Sequence, residues 1–207
     1  MLEFSTRILY EHDGVIAWDK PAGLAATGRT LEDPDCAQYL AMQHYRRMIW
    51  AVHQLDAETS GVLVFVRKKS LVPIWQQRLG ASKTAKRYLA IVHGRLDHRQ
   101  RVIKEPVGGK AARSDFRVLS ESAQASLLEV RIHTGRTHQI RIHLEHLGLT
   151  LFGEKRYGAA PCEEHPRHAL HAASIEFGDG EEPQKLEAPL AEDMVELAAR
   201  LGLSLQP

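Results

Sequence analysis

The sequence predicts an α+β fold: a mixed, largely antiparallel β-sheet flanked by helices. Three observations carry that expectation. Two runs, "KRYLAIVHG" (86–94) and "SLLEVRIH" (126–133), alternate their side chains in the period of two that marks strands. A third, "GVLVFVRK" (61–68), is short, β-branched and opened by Gly61, as suits a buried strand. Helical patterns lie among these runs, without the strand–helix rhythm of a doubly wound fold.

Each element has its own signal. "GVIAWDKPAGL" (14–24) gives a short buried strand, Val15 to Trp18, that breaks into a Pro-Gly turn. "DCAQYLAMQHYRR" (35–47) reads as a helix. "SLVPIWQQRLGAS" (70–82) is a helix with Ser70 as N-cap and Pro73 confined to the first turn, where its missing N–H costs little. In the 86–94 strand, Tyr88, Ala90 and Val92 share one face and Leu89 and Ile91 the other. In the 126–133 strand, Leu128, Val130 and Ile132 oppose Glu129 and Arg131. "THQIRIHLEHLG" (137–148) spaces Ile140, Leu144 and Leu147 as a helix and stops at Gly148, a natural C-cap. "AEDMVELAARLG" (191–202) supplies a last helix with Met194, Leu197 and Leu201 inward.

A chain of 207 residues can bury a full core, and one domain is expected. No apolar run approaches the roughly 18 residues of a membrane span, and the first residues lack the pattern of a secretory signal. The two cysteines, Cys36 and Cys162, form neither a metal-type pair nor a disulfide framework, so a reducing cytoplasm is the default. Charge is unevenly spread. Residues 66–156 hold 19 Lys and Arg against 7 Asp and Glu, a net +12, between flanks of −4 and −7. Such a basic middle suits either a polyanion-binding face or an ordinary solvated surface.

Three positions invite chemistry. Asp56, in "HQLDAETSGVLVFV" (53–66), places one carboxylate in a polar turn at the mouth of a buried strand. It is either a turn residue or a catalytic acid, base or nucleophile. Arg141 sits one residue past Ile140, at the edge of its helix's apolar stripe, where it can reach inward to a carboxylate in a bidentate pair or remain on the surface. Tyr88 lies among apolar strand residues, where most tyrosines are core aromatics. Seven of the twelve histidines cluster, at 133–146 and 165–171, but spacings of five do not return to one helical face and no His-Glu-x-x-His occurs, which argues against a metal. Ser60-Gly61 lacks the flanking glycine of a hydrolase elbow, and "PVGGKAAR" lacks the ending of a phosphate loop.

Five blocks in order, "DGVIAWDKPAGL" (13–24), "HQLDAETSGVLVFV" (53–66), "KRYLAIVHG" (86–94), "HTGRTHQIRIHLEHLGLTLFGEKRYG" (133–158) and "HALHAASIEF" (168–177), resemble the RluA-type pseudouridine synthases. The resemblance implies the pseudouridine synthase fold, with residues 1–207 as one catalytic domain and no additional N-terminal RNA-binding domain. By the family's motifs Asp56, Tyr88 and Arg141 are catalytic, and His53, Gln54, Thr59, Arg136, His138 and Gln139 contact substrate or RNA. No cofactor and no metal are implied, because isomerising uridine oxidises and hydrolyses nothing. An ionised carboxylate acts on the nucleoside, an adjacent Arg141 favours its ionised form, and Tyr88 lies beneath the uracil. The implied partner is a stem-loop of tRNA or rRNA, met by a monomer in the cytoplasm with no membrane involved. The chain departs from the family at Gln54, where members carry an Arg implicated in filling the gap left by the flipped base. Two other readings stand beside this one: a catalytically inactive RNA-binding protein on the same scaffold, and a metal-dependent nuclease built on the histidine clusters.

Overall fold

A computed structural model of the chain describes residues 3–30, 33–158 and 165–205; Cys162 lies outside them. Among the described residues it forms eleven β-strands and four α-helices, the α+β class that the sequence predicts. The chain divides into two compact units, Met1–Thr84 with Ala173–Pro189, and Ala85–Ala172 with Leu190–Pro207.

In the first unit, β1 (Ile8–His12) and β2 (Val15–Lys20) form an antiparallel hairpin. Its two-residue loop, Asp13-Gly14, has φ of 48° and 78°, the left-handed pair that matches strand twist. After α1 (Ala37–Tyr45) and β3 (Trp50–Ala51) comes β4 (Ser60–Val66), antiparallel to β2 with Trp18 opposite Leu63. All seven residues of β4 are buried, which explains its uninterrupted apolar run. The second strand runs two residues beyond its apolar stretch, through Asp19 and Lys20, because the Lys20 ammonium finds acceptors inside the protein. The first helix is capped by an unexpected group: Cys36 Sγ accepts the Tyr39 N–H at 3.3 Å. Ser70 precedes α2 (Leu71–Gly80) as expected, but its backbone is already helical and its side chain makes no cap hydrogen bond. Trp75 and Leu79 of α2 pack with Ala17, Val64, Ile175 and Phe177.

The second unit is built on the antiparallel order β6–β7–β8–β5, with β5 at Ala85–His93, β6 at Gln100–Ile103, β7 at Ser114–Glu121 and β8 at Ala125–Ile132. The expected two-faced pattern holds. Tyr88, Ala90 and Val92 join Val118, Leu128 and Val130 under Ile140 and Leu144 of α3 (Gln139–His146). Leu89 and Ile91 join Leu127 on the other face under Met194 and Leu197 of α4 (Glu192–Arg200). The third helix ends as its sequence predicts: Gly148 has φ of 70°, and the Gly148 and Leu149 N–H groups return to the Glu145 and Leu144 carbonyls. Three strands complete the set: the short β9 (Thr150–Leu151) on β5, the seven-residue β10 (Leu170–Glu176), whose residues fall in both units, and the short β11 (Lys185–Glu187) beside it.

Candidate active site

In the first unit the turn that carries Asp56 is held through its backbone. The Thr59 N–H donates to the Asp56 carbonyl at 3.0 Å, and Thr59 itself is buried. The next carbonyl, that of Ala57, accepts from Lys20 Nζ at 2.9 Å and from the Gly23 N–H at 3.0 Å. Lys20 is wholly buried and donates also to the Pro21 and Leu24 carbonyls at 2.8 and 2.7 Å, so one ammonium ties the Pro-Gly turn to the Asp56 turn. His53 accepts the Val64 N–H on Nε2 at 3.1 Å, which requires that nitrogen to be unprotonated and fixes the ring against β4. Gln54 is exposed, and its Oε1 accepts from Thr27 Oγ1 at 3.3 Å.

The second unit brings together a set centred on Arg141. Instead of lying at the edge of its helix, Arg141 is 9% exposed. It makes a bidentate pair with Glu154, Nε to Oε2 at 2.8 Å and Nη2 to Oε1 at 2.7 Å. Of the two readings open for Arg141, the structure has the inward bidentate pair, made with Glu154, a carboxylate that the sequence did not mark out. Glu154 Oε1 also accepts the N–H groups of Lys155, Arg156 and Tyr157, at 3.0, 2.9 and 3.3 Å. Burial alone would raise the Glu154 pKa, but Arg141 and these N–H groups outweigh it and hold the group at about 2. The guanidinium lies 5.0 Å from the centre of the Tyr157 ring, whose hydroxyl is 2.8 Å from His138 Nδ1. His138 precedes the third helix in a left-handed conformation, φ 56°, uncommon for a side chain of its size.

Gly153 makes this arrangement possible. A Cβ there would lie 1.9 Å from the Arg167 carbonyl oxygen, and its φ is 72°. Only glycine lets the chain pass and deliver Glu154 to Arg141. The signal in the sequence was the Gly-Glu pair of "FGEKRYG" (152–158).

The remaining expected residues are placed as follows. Tyr88 is half-buried on β5, packed against the cluster beneath α3. Gln139 is buried, and its amide is engaged four times: it accepts from Thr134 Oγ1 and the Arg136 N–H and donates to the Arg113 carbonyl and Ser114 Oγ. It shapes the turn from inside. Arg136 is half-buried and donates from Nε to the Ala111 carbonyl at 3.1 Å. Of the histidines, His143 lies between Ser114 Oγ and the Glu105 carbonyl, and His165 Nδ1 is 2.6 Å from the Arg167 carbonyl. Among the described residues no three His, Cys, Asp or Glu side chains group as metal ligands, and no helix is long and apolar enough to cross a membrane.

His168 gives the unit a pH dependence. Burial, reinforced by the charge of Arg141, pulls its pKa from 6.5 to about 3. Below pH 6.5 the unfolded chain takes up a proton that the folded chain refuses until about pH 3, so stability is lost through that window. Glu154 acts later. Its contribution is intact above its ordinary 4.5 and is lost progressively as the pH falls from there through about 2. Denaturant unfolding followed from neutral pH toward pH 4 is expected to be less pH-dependent in His168→Gln, by about one proton. Equal slopes in variant and wild type would contradict the assignment.

The comparisons with known proteins agree with the fold and the motifs. The family described as RNA pseudouridylate synthase matches residues 14–146. Ribosomal large subunit pseudouridine synthase C of Vibrio vulnificus is 29% identical over 98% of this chain and 71% of its own length. An uncharacterised RNA pseudouridine synthase of Bacillus subtilis is 30% identical over 94% of the chain and 72% of its own length. Among solved structures, human RNA pseudouridylate synthase domain containing 4 superimposes with a TM-score of 0.82 at 22% identity, covering 99% of this chain and 96% of that one. With the family matched over most of the chain and relatives matched over nearly all of it, the chain belongs to the RNA pseudouridylate synthases, RluA type.

Proposed function

We propose that the protein isomerises specific uridines in structured RNA to pseudouridine, with Asp56 as the essential carboxylate. The observation that carries this reading is the Asp56 turn itself, an aspartate in the matched block at the mouth of a buried strand, with the turn's backbone held by Lys20 and Thr59. In the reaction the N1–C1′ bond breaks, uracil turns, C5 joins C1′, the C5 proton leaves and N1 gains one. Asp56 acts as nucleophile or as base at the sugar. Arg141 takes part as the basic residue of the matched family motif, and Tyr88 underlies the base and offers its hydroxyl for the C5 proton. His53, Gln54, Thr59, Arg136, His138 and Gln139 line or shape the approach of the RNA.

The relatives whose names specify the large ribosomal subunit favour a stem-loop of ribosomal RNA as substrate, with tRNA the other choice. The chain is read as one catalytic domain acting as a monomer in the cytoplasm, in keeping with its two cysteines. The test is direct: purified protein is incubated with ribosomal and transfer RNA, and pseudouridines are mapped. Binding without conversion would favour the inactive RNA-binding reading, and conversion abolished by chelator would favour metal chemistry.

The Gln54 departure makes its own prediction. If this exposed side chain fills the space left by a flipped base, Gln54→Ala should slow single-turnover conversion of a structured stem-loop more than that of a short flexible RNA, whose base is cheaper to extract. Gln54→Arg should be tolerated, and any gain in affinity should be salt-sensitive. Equal slowing of both substrates by Gln54→Ala, or of neither, rules the wedge out.

A further inference from the structure

Two lysines lie at least partly inside this fold, Lys20 wholly buried and Lys86 half-buried, and they differ in their partners. Lys20 donates to three carbonyls within 2.9 Å. Lys86, on β5, is half-buried, and among the described residues its Nζ makes no hydrogen bond and no ion pair. Its side chain is only partly covered, so the ammonium still reaches solvent, and that partial burial draws its pKa down. Lys86 lies two residues before Tyr88, so the period of two places both side chains on one face of the strand.

The space around Nζ is equally informative. A Cβ built on Gly135 would lie 3.9 Å from Lys86 Nζ with no other atom within 4 Å. The ammonium therefore borders an open space beside the Thr134–Gly135–Arg136 turn. That turn is rigid, since Gln139 holds Thr134 Oγ1 at 2.7 Å and the Arg136 N–H at 3.1 Å. A half-buried cation with no protein partner among the described residues, an open space and a fixed turn without a side chain at its centre make an anion cradle. The anion that substrate RNA offers is a backbone phosphate.

We propose that Lys86 and the Gly135 turn bind one backbone phosphate of the substrate RNA, on the strand face that carries Tyr88. The proposal rests on the reading of the protein as an RNA-modifying enzyme and assigns that enzyme a further substrate-binding residue. Its role is to hold the strand, and the chemistry is left to other residues.

Affinity for a uridine-containing stem-loop RNA, measured by fluorescence anisotropy across a salt series, tests it. Lys86→Gln should weaken binding about tenfold at low salt and reduce the slope of log affinity against log salt by about 0.7 to 0.9. Its kcat at saturating RNA should stay near that of wild type. Lys86→Arg should restore the slope. Gly135→Ala, which places a methyl group in the cradle, should weaken binding with unchanged thermal melting, and it decides the matter if Lys86→Gln folds poorly. Wild-type affinity and slope in Lys86→Gln, wild-type affinity in Gly135→Ala, or a loss confined to kcat would each overturn the proposal. Pseudouridine formation by the wild type, followed in the same mixtures, separates failure of this site from failure of the enzymatic reading.

Discussion

Asp56→Asn should abolish pseudouridine formation, lowering turnover by at least about 1000-fold, as loss of an essential nucleophile or base does. Asparagine keeps the volume of aspartate and loses the charge, so the change acts on chemistry before shape. Backbone carbonyls take part in holding the turn, with bonds from Thr59 to Asp56 and from Lys20 and Gly23 to Ala57, and the substitution leaves those groups in place. Thermal melting and RNA affinity are therefore expected to stay close to wild type. Measured turnover above about 1% of wild type would remove Asp56 from the catalytic role.

The second large effect is expected at Arg141. Arg141→Ala leaves Glu154 buried, charged and without its guanidinium, and breaking such a pair from one side costs about 3–5 kcal/mol. Activity should fall as well if Arg141 takes the part that the family motif proposes for it. Arg141→Lys should lose less, since lysine keeps the charge but cannot reproduce the planar fork. Stability and activity can be separated by pairing Arg141→Met with Glu154→Gln. The Gln carbonyl can still accept the N–H groups of Lys155, Arg156 and Tyr157, so much of the stability should return while activity stays low. If the double variant regains activity along with stability, Arg141 is a structural residue only.

Much of this was legible in the sequence, for identifiable reasons. Period-two alternation placed Tyr88, Ala90 and Val92 on one face of β5, and the structure packs that face under α3. Gly148 was recognisable as a helix stop because only a left-handed residue fits there, and its φ of 70° agrees. Asp56 stood out because a carboxylate before an all-apolar strand is unusual. What stayed hidden depends on contacts distant in sequence. Lys20 reads as a surface lysine until Ala57, 37 residues later, is found to accept from it. Glu154 reads as one of many acidic side chains until the Gly153 backbone crossing delivers it to Arg141. The Asp13-Gly14 hairpin was visible in principle, and the dipeptide is a strong turn signal that the apolar pattern alone did not use.

The tethering of the Asp56 turn also bears on motion. A segment anchored by a wholly buried ammonium and leading into a strand buried along its whole length cannot swing open without exposing that charge and that strand. Its amide protons should exchange on the timescale of global unfolding, not of loop breathing. If Asp56 is the reacting carboxylate, it is then stationary during an encounter, and the nucleic acid does the moving. Turnover on different RNAs should follow how readily each target uridine leaves its stack, with the protein acting as a fixed jig.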